Sequence, residues 1–531
     1  MSKFDYVIVG AGTAGCVLAN RLTEDPACSV LLLEAGGGDR HPALHVPKGF
    51  AYTIDNETFS WKYQTEPFGP YGQTELWSRG KVLGGSSSIN GMVYNRGAQA
   101  DYDAIEALGN PGWGWSQILP IFKQIEDHQL GASDMRGAGG PVHISVVRRG
   151  DEVSEKLLDS ASALGLKRVD DINASDEERA GYTPANTRNG MRVSAAKAFL
   201  HPARKRPNLT VMTGTTATGL VFEGNRVTGV SATQGAGRIE LNARREVILS
   251  LGSIATPQLL QLSGIGPREV LREAGVDVRV DSPQVGEGIR EHRCFPLQMR
   301  LKRDIGYNRL LSKPSRQALS GMKYLLNRQG PLATPAYDML AFLRSSPDSD
   351  RPDAQVLLAP MSVGIGPLDI SLEQRPGLSL LGFVLRPTSL GSVHIRSTDP
   401  HALPRVVAGY LDTEHDRVIS LNMFKRMREL VAQQPIADEI LLETMPGVLV
   451  QDDEALLNSG FLNGGTGYHA SGACAMGPNE TDAIDSRLRV RGVQNLRVVD
   501  VSILPAMVAG NLNGPMMAMA WRAADMIRED A

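Results

Sequence analysis

The N-terminal stretch leaves the chain little choice of fold. Phe4-Asp-Tyr-Val-Ile-Val-Gly10-Ala-Gly12-Thr-Ala-Gly15 is followed, one helix length later, by Val30-Leu-Leu-Leu-Glu34. Tyr6–Val9 and Val30–Leu33 are unbroken apolar runs, as parallel strands covered on both faces must be. Gly10 permits a sharp strand-to-helix turn, Gly12 lets backbone approach a pyrophosphate, and Gly15 lets the helix pack closely on the strand. Thr13 and Ala14 then open a helix whose free N–H groups and positive dipole end suit phosphate. Glu34, about 20 residues further on and followed by Ala35, suits a ribose hydroxyl pair and repels a 2′-phosphate. A glycine triplet alone is a weak signal. Here the flanking strands, the spacing and the terminal acid agree on a dinucleotide-binding βαβ unit.

Composition narrows the class. With 531 residues, 21% of them charged, and a net charge of −3, the chain has no overall attraction for nucleic acid or an anionic membrane. Length alone suggests two to four domains. Arg148-Arg149, Arg204-Lys-Arg206 and Lys302-Arg303 are short, have acids nearby, and read as solvated faces. Four cysteines without metal-ligand spacing do not form a disulfide framework, which suits a reducing interior. Cys16, in the first turn of the dinucleotide helix, reads as small-residue packing. The first strand begins directly after Met1-Ser-Lys3, leaving no room for a signal peptide. No apolar run approaches roughly 18 residues. A cytoplasmic protein with no membrane insertion is the expectation.

Further along stand Gly80-Lys-Val-Leu-Gly-Gly85-Ser-Ser-Ser-Ile89-Asn90-Gly-Met-Val-Tyr94-Asn-Arg-Gly97 and Gly252-Ser-Ile-Ala-Thr-Pro257-Gln-Leu-Leu-Gln-Leu-Ser263-Gly-Ile-Gly266. Tyr468-His469-Ala-Ser-Gly-Ala-Cys-Ala-Met-Gly477, Val498-Val-Asp500 and Gly510-Asn-Leu-Asn513-Gly-Pro515 follow. In this order, from residue 4 to residue 527, the motifs resemble those of the glucose–methanol–choline (GMC) flavoprotein oxidoreductases. The resemblance implies FAD and alcohol oxidation. It places the loop carrying Val82, Gly85, Ser86, Asn90, Gly91 and Val93 against the isoalloxazine, where Gly84-Gly85 lets backbone lie close to a flat ring. Ile89 stands where some members carry a histidine bonded to the flavin, so FAD is expected to be non-covalent. Ala217 is expected to meet the adenine through its backbone. Asp500 and Val501 are expected near the ribityl and pyrophosphate, and Asn513 and Pro515 complete the cofactor set. The plain alternative for Asp500 is a helix N-cap, with Ser502 the more natural cap.

Oxidising an alcohol moves the hydroxyl proton to a base and the carbon-bound hydride to the flavin N5. An imidazole of ordinary pKa about 6.5 can take that proton at neutral pH. His469, after the loop Asn463-Gly-Gly-Thr-Gly467, matches the family's catalytic histidine, and Asn513 matches a second polar position occupied by histidine or asparagine in relatives. An amide there would hydrogen-bond the same oxygen. Tyr468 is expected to line the pocket. His292 matches a motif that ends Asp-His in many relatives; Glu291 departs from it, and His292 reads as a satisfied structural residue.

The fold expected is α/β, a Rossmann-like FAD-binding GMC fold with an inserted α+β substrate part built on a mostly antiparallel sheet with helices. Residues 1–155, 200–296 and 461–531 form the discontinuous FAD domain, and 156–199 and 297–460 the substrate domain. Strands are expected at 209–213, 219–222, 226–230, 246–251, 355–359, 379–385 and 391–396, with helices at 152–164, 316–326, 416–433 and 515–527. The partners are a small-molecule alcohol and either O₂ or a quinone, with no nucleic acid and no metal. No motif carries an acid that would mark a cationic substrate such as choline. The resemblance extends to bacterial furanic and benzylic alcohol oxidases and to choline-dehydrogenase-like enzymes. A primary alcohol is the expected substrate, with hydrated aldehydes presenting the same O–H and C–H. O₂ is favoured over a quinone or dye. A redox-silent FAD lyase using the same histidine is the remaining alternative.

Overall fold

A computed structural model describes residues 4–146, 150–364 and 371–531; the pair Arg148-Arg149 lies outside them. Two sheets organise the chain. The first has seven strands, with Leu209–Met212, Val30–Leu33, Phe4–Val9, Gly237–Leu249, Arg226–Gln234 and Thr215–Glu223 side by side and Leu496–Val498 against the long Gly237–Leu249. Tyr6–Val9 run parallel to Val30–Leu33, and Val247–Leu249 run parallel to both Val7–Val9 and Leu496–Val498. These runs are buried along their whole length, as strands covered on both faces require. The long strand changes partner midway: Gly237–Asn242 instead pair antiparallel with Gly229–Gln234. It joins the parallel core to the short strands expected at 219–230.

The helix Thr13–Leu22 lies against the last helix, Asn513–Glu529, where Arg21 stacks over Trp521 at 4.2 Å and ion-pairs Asp525 at 2.7 Å. Cys16 is buried among the small residues of this contact. A Cβ on Gly15 would fall 1.9 Å from the Gly10 carbonyl oxygen, so helix and strand can approach this closely only at glycine.

The second sheet has eight strands, in the order Ile440–Met445, Arg293–Leu301, Gly377–Val384, Ala354–Ala359, Met339–Leu343, Arg179–Tyr182 and Lys167–Arg168, with Gly465–Thr466 also on Arg293–Leu301. Every pairing is antiparallel except that of Lys167–Arg168. The helix Glu414–Val431 covers it, with Met423 and Met427 packed into the gap above Gly382. The strand expected at 391–396 forms, but outside this sheet. Gly391–His394 leaves this sheet and pairs with Glu287–Ile289 and Arg405–Val407 instead. Pro387 cannot donate to a ladder, and Asp416 takes the N–H groups of Thr388 and Ser389 at 2.9 Å each, which turns the chain away.

At the edge of this half lies the helix Pro314–Asn327, of which only Ser320 and Tyr324 are buried.

Candidate active site

A cavity of about 710 Å³ runs between the sheets, lined by Val9 and Leu33 from the first and by Leu357, Leu381 and Phe383 from the second. Its walls carry Gly10, Gly12, Thr13, Ala14, Glu34, Ala35, Gly85, Ser86, Asn90, Gly91, Val93, Ala217, Asp500, Val501 and Asn513. Tyr468 and His469 line it as well. Three residues expected to touch the cofactor do not line it. Gly15 faces Gly10, Val82 is buried with Leu44, Phe59 and Ile89, and Pro515 is buried in the first turn of its helix, where Met516 reaches the cavity instead.

The dinucleotide end fits its group. A Cβ on Gly12 would find no protein atom nearer than the Ser250 carbonyl oxygen at 3.9 Å. The protein's own packing therefore does not demand glycine there; the open space on the cavity side does. Glu34 accepts from the Ala11 N–H at 3.0 Å and the Gly36 N–H at 2.8 Å, tying the first turn to the second. Burial pushes its carboxyl up to about 7, against those two amides and Lys81. Hydroxyl donors of a ribose would add to what holds its charged form. Asp500, and not Ser502, caps the turn Val501–Ile503, accepting from the Ser502 N–H at 2.9 Å. Its other oxygen takes the Gly252 N–H at 2.9 Å and the Thr256 hydroxyl at 2.6 Å. The N-termini of the first and last helices meet at this end, where the Thr13 hydroxyl donates to Asn513 Oδ1 at 2.8 Å.

That contact displaces one expectation. The amide beside His469 belongs to Asn511, whose Nδ2 lies 2.9 Å from His469 Nε2. Asn513 is the first residue of the last helix and is directed to Thr13, while Asn511, two residues earlier, lies in the irregular segment that precedes it. Asn511 is itself oriented. Its Oδ1 accepts from Asn95 Nδ2 at 2.8 Å and Gln355 Nε2 at 3.2 Å, so its NH₂ group must face the imidazole.

The other side of His469 follows the same logic. His292 Nε2 lies 3.2 Å from the Leu385 carbonyl, which only accepts, so this nitrogen carries the proton. Burial pushes the His292 pKa down to about 4, so the ring is neutral and its Nδ1 is a lone pair. His469 Nδ1, 2.8 Å away, must then be the N–H. What remains on His469 Nε2 is a lone pair, directed at the Asn511 amide. Burial, then His292 and Arg79, hold the His469 pKa well below the imidazole range. The His292 ring stacks on Phe383 at 4.4 Å. His292, read from sequence as merely structural, thus fixes the tautomer of its neighbour.

Glu291 suits this arrangement despite replacing the expected aspartate. Its Oε1 accepts from the His292 N–H at 2.8 Å and the His469 N–H at 2.7 Å, and Arg79 stands 3.4 Å from Oε2. Tyr468 takes φ +60°, a strained value for a side-chain-bearing residue, with its N–H bound to the Thr466 hydroxyl at 2.9 Å. Asn90 does not stand free: its Oδ1 accepts from Arg192 at 2.7 Å, and Arg192 is a buried cation that sequence reasoning passed over. Glu34 and Asp500 are the only carboxylates lining the described cavity, and both are engaged by backbone N–H groups of the dinucleotide loops.

Family models of GMC oxidoreductases match residues 4–294 and 387–520. The chain is 37% identical over 536 residues to the mitochondrial choline dehydrogenase of Homo sapiens, covering 99% of this chain and 90% of that one. It is 35% identical over 528 residues to an alcohol dehydrogenase [acceptor] of Pseudomonas putida, covering 99% and 95%. Among solved structures it superposes on pyridoxine 4-oxidase from Mesorbium loti with TM-score 0.88 at 30% identity, covering 99% of each chain. An Aspergillus oryzae formate oxidase variant gives TM-score 0.92 at 26% identity, covering 100% and 98%. With both family models, the dinucleotide cradle and the buried imidazole in one cavity, the chain belongs to the GMC oxidoreductases, FAD-binding enzymes that act on alcohol donors.

Proposed function

We propose that this enzyme oxidises a neutral primary alcohol, furanic, benzylic or medium-sized, to the aldehyde, with His469 as base and Asn511 as the partner of the substrate oxygen. The observation that carries this reading is the convergence of the His469 Nε2 lone pair and the Asn511 N–H at one point of the cavity wall. An alcohol entering there donates its O–H to Nε2 and accepts from Asn511. As the proton moves to Nε2, the Asn511 N–H meets the charge growing on oxygen. The Nδ1–H stays on the His292 lone pair, so the imidazolium that forms is supported from behind. Bound in the cradle, FAD supplies the two-electron acceptor, and Ile89 offers no nucleophile to bond it.

The walls support this substrate class. Trp61, Tyr63, Tyr337, Phe383 and Tyr468 line the cavity together with Arg79. A quaternary ammonium would meet rings but no free carboxylate, and would stand near a guanidinium. Choline is therefore expected to be a poor substrate despite the choline dehydrogenases among the relatives. For the acceptor we favour O₂, helped by the positive charge on His469 after proton transfer. The 35% identity to an alcohol dehydrogenase [acceptor] supports a second reading, a dehydrogenase passing electrons to a quinone or dye. The four cysteines, all free and buried, suit a reducing, cytoplasmic compartment.

Anaerobic titration of the yellow enzyme with benzyl alcohol, hydroxymethylfurfural, an aliphatic alcohol and choline tests the whole reading. Bleaching by the first three, with choline inert, is expected; bleaching by choline alone would overturn the substrate class. No bleaching by any would leave the redox-silent lyase. Colour that returns with peroxide on admitting air marks an oxidase, and persistent bleaching marks the dehydrogenase.

A further inference from the structure

The helix Pro314–Asn327 is amphipathic, yet it is turned the wrong way for a globular protein. Only Ser320 and Tyr324 face inward, and the Tyr324 hydroxyl donates to the Gly190 carbonyl at 2.9 Å. At 3.6 residues per turn, Ala318, Leu319, Met322, Leu325 and Leu326 share one outward arc of about 120°. Leu319 is 66% exposed, Met322 55%, Leu325 71% and Leu326 75%. Contiguous large apolar side chains in water mark a binding surface.

The helix and the chain on either side of it, from residue 305 to 337, carry charges of one sign. Between Asp304 and Asp338 the chain carries Arg309, Lys313, Arg316, Lys323 and Arg328 and no acid. Arg316 reaches Asp304 at 3.7 Å, whereas Lys313, Lys323 and Arg328 form no salt bridge among the described residues. The net charge of −3 for the whole chain conceals this patch. An apolar face flanked by unpaired lysine and arginine is the pattern of a helix lying in a bilayer surface.

We propose that this helix docks the enzyme on an anionic lipid bilayer, with its leucines and Met322 at the acyl boundary and its bases among the headgroups. A second copy fits the face less well. Two such helices packed about a two-fold axis would bring their bases together with no acid between them. Four large side chains are also far short of the roughly 800 Å² per partner of a stable dimer. The proposal does not depend on the substrate or acceptor reading above. The chain after the helix does lead to the site: Pro331–Ala333 is followed by Ala336 and Tyr337, which line the cavity.

The test is flotation of the FAD-loaded full-length enzyme with vesicles of phosphatidylcholine, alone or mixed with phosphatidylglycerol. Flotation with the mixed vesicles at low salt is expected, weakening at least tenfold at about 1 M salt, where the Debye length is about 3 Å. The variant Leu319→Gln/Met322→Gln/Leu326→Gln should lose flotation while keeping its melting temperature and its turnover of a soluble alcohol. Lys313→Gln/Lys323→Gln should lose the preference for phosphatidylglycerol. No flotation at low salt, or flotation unchanged in the leucine–methionine variant, overturns the proposal. So does a concentration-dependent dimer, by light scattering, that the same variant abolishes; the face would then belong to a second copy.

Discussion

A base is useful only if its lone pair points at the proton it must take, and at His469 a neighbour with nothing to donate at Nδ1 decides this. His292→Phe keeps a ring to stack on Phe383 but offers no acceptor, leaving His469 free to carry its proton on Nε2. We expect kcat/KM to fall by about one to two orders of magnitude with the flavin spectrum unchanged. His292→Asn, whose Oδ1 can take the same N–H, should recover most of it, an outcome that simple packing damage would not give. His469→Ala should cost about 10²–10⁴-fold in kcat while FAD stays bound. Asn511→Ala should lower kcat, and Asn513→Ala should instead weaken flavin retention, measured by dialysis and absorbance; the reverse pattern would restore Asn513 as the partner. The depressed pKa of His469 also sets a pH profile. The neutral base is the active form, so kcat/KM should hold its neutral plateau as pH falls below 6.5, the ordinary imidazole value. A limb centred at or above that value would contradict the burial described. The choice between Asn511 and Asn513 was not legible in the sequence. Asn511-Leu-Asn513 offers two amides, and only the start of the helix, at Asn513, separates their directions.

Elements hold these side chains in place through a few shared acceptors. Glu291 is one, fastening the strand end at His292 and the turn at His469 with a single oxygen. Glu291→Ala would free both N–H groups, leave Arg79 without its carboxylate and let Tyr468 relax from positive φ. A loss of about 2–4 kcal/mol in urea unfolding is expected, with turnover falling alongside. The motif position was readable beforehand, but whether glutamate could serve there depended on reach, which spacing does not encode. Elements with strong periodicity were readable nearly to their ends. The helix expected at 416–433 runs Glu414–Val431, and that expected at 316–326 runs Pro314–Asn327. Periodicity gives a helix its stripe without saying which way the stripe turns, so the outward direction of these leucines could not be read from spacing. The strand at Gly391 was readable but its partners were not, for a related reason: its alternation is genuine, but its partners are chosen by Pro387 and Asp416, not by its own residues.

At the scale of the whole molecule, discontinuity is the main fact. The first sheet draws strands from residues 4–33, 209–249 and 496–498, and the second takes most of what lies between. Two of the returns were legible: Val247-Ile-Leu249 is an apolar run shortly before Gly252, and the strand Leu496–Val498 leads to Asp500. Where the chain changes sheet was harder to read, since Arg293–Leu301 runs across residue 296. The buried imidazoles also give the whole fold an acid limit. His292 has a folded pKa of about 4, against about 6.5 unfolded, so its contribution is complete above pH 6.5 and is lost as pH falls toward 4. The ceiling is about 3 kcal/mol, and the unfolding midpoint in urea should drop over that window, less steeply in His292→Asn. Finally, the hydroxyl of Thr13 finds its partner 500 positions later, at the opening of the last helix. A nascent chain therefore cannot complete its grip on the nucleotide until Asn513 has been made, and flavin loading is withheld from any product released before that helix begins.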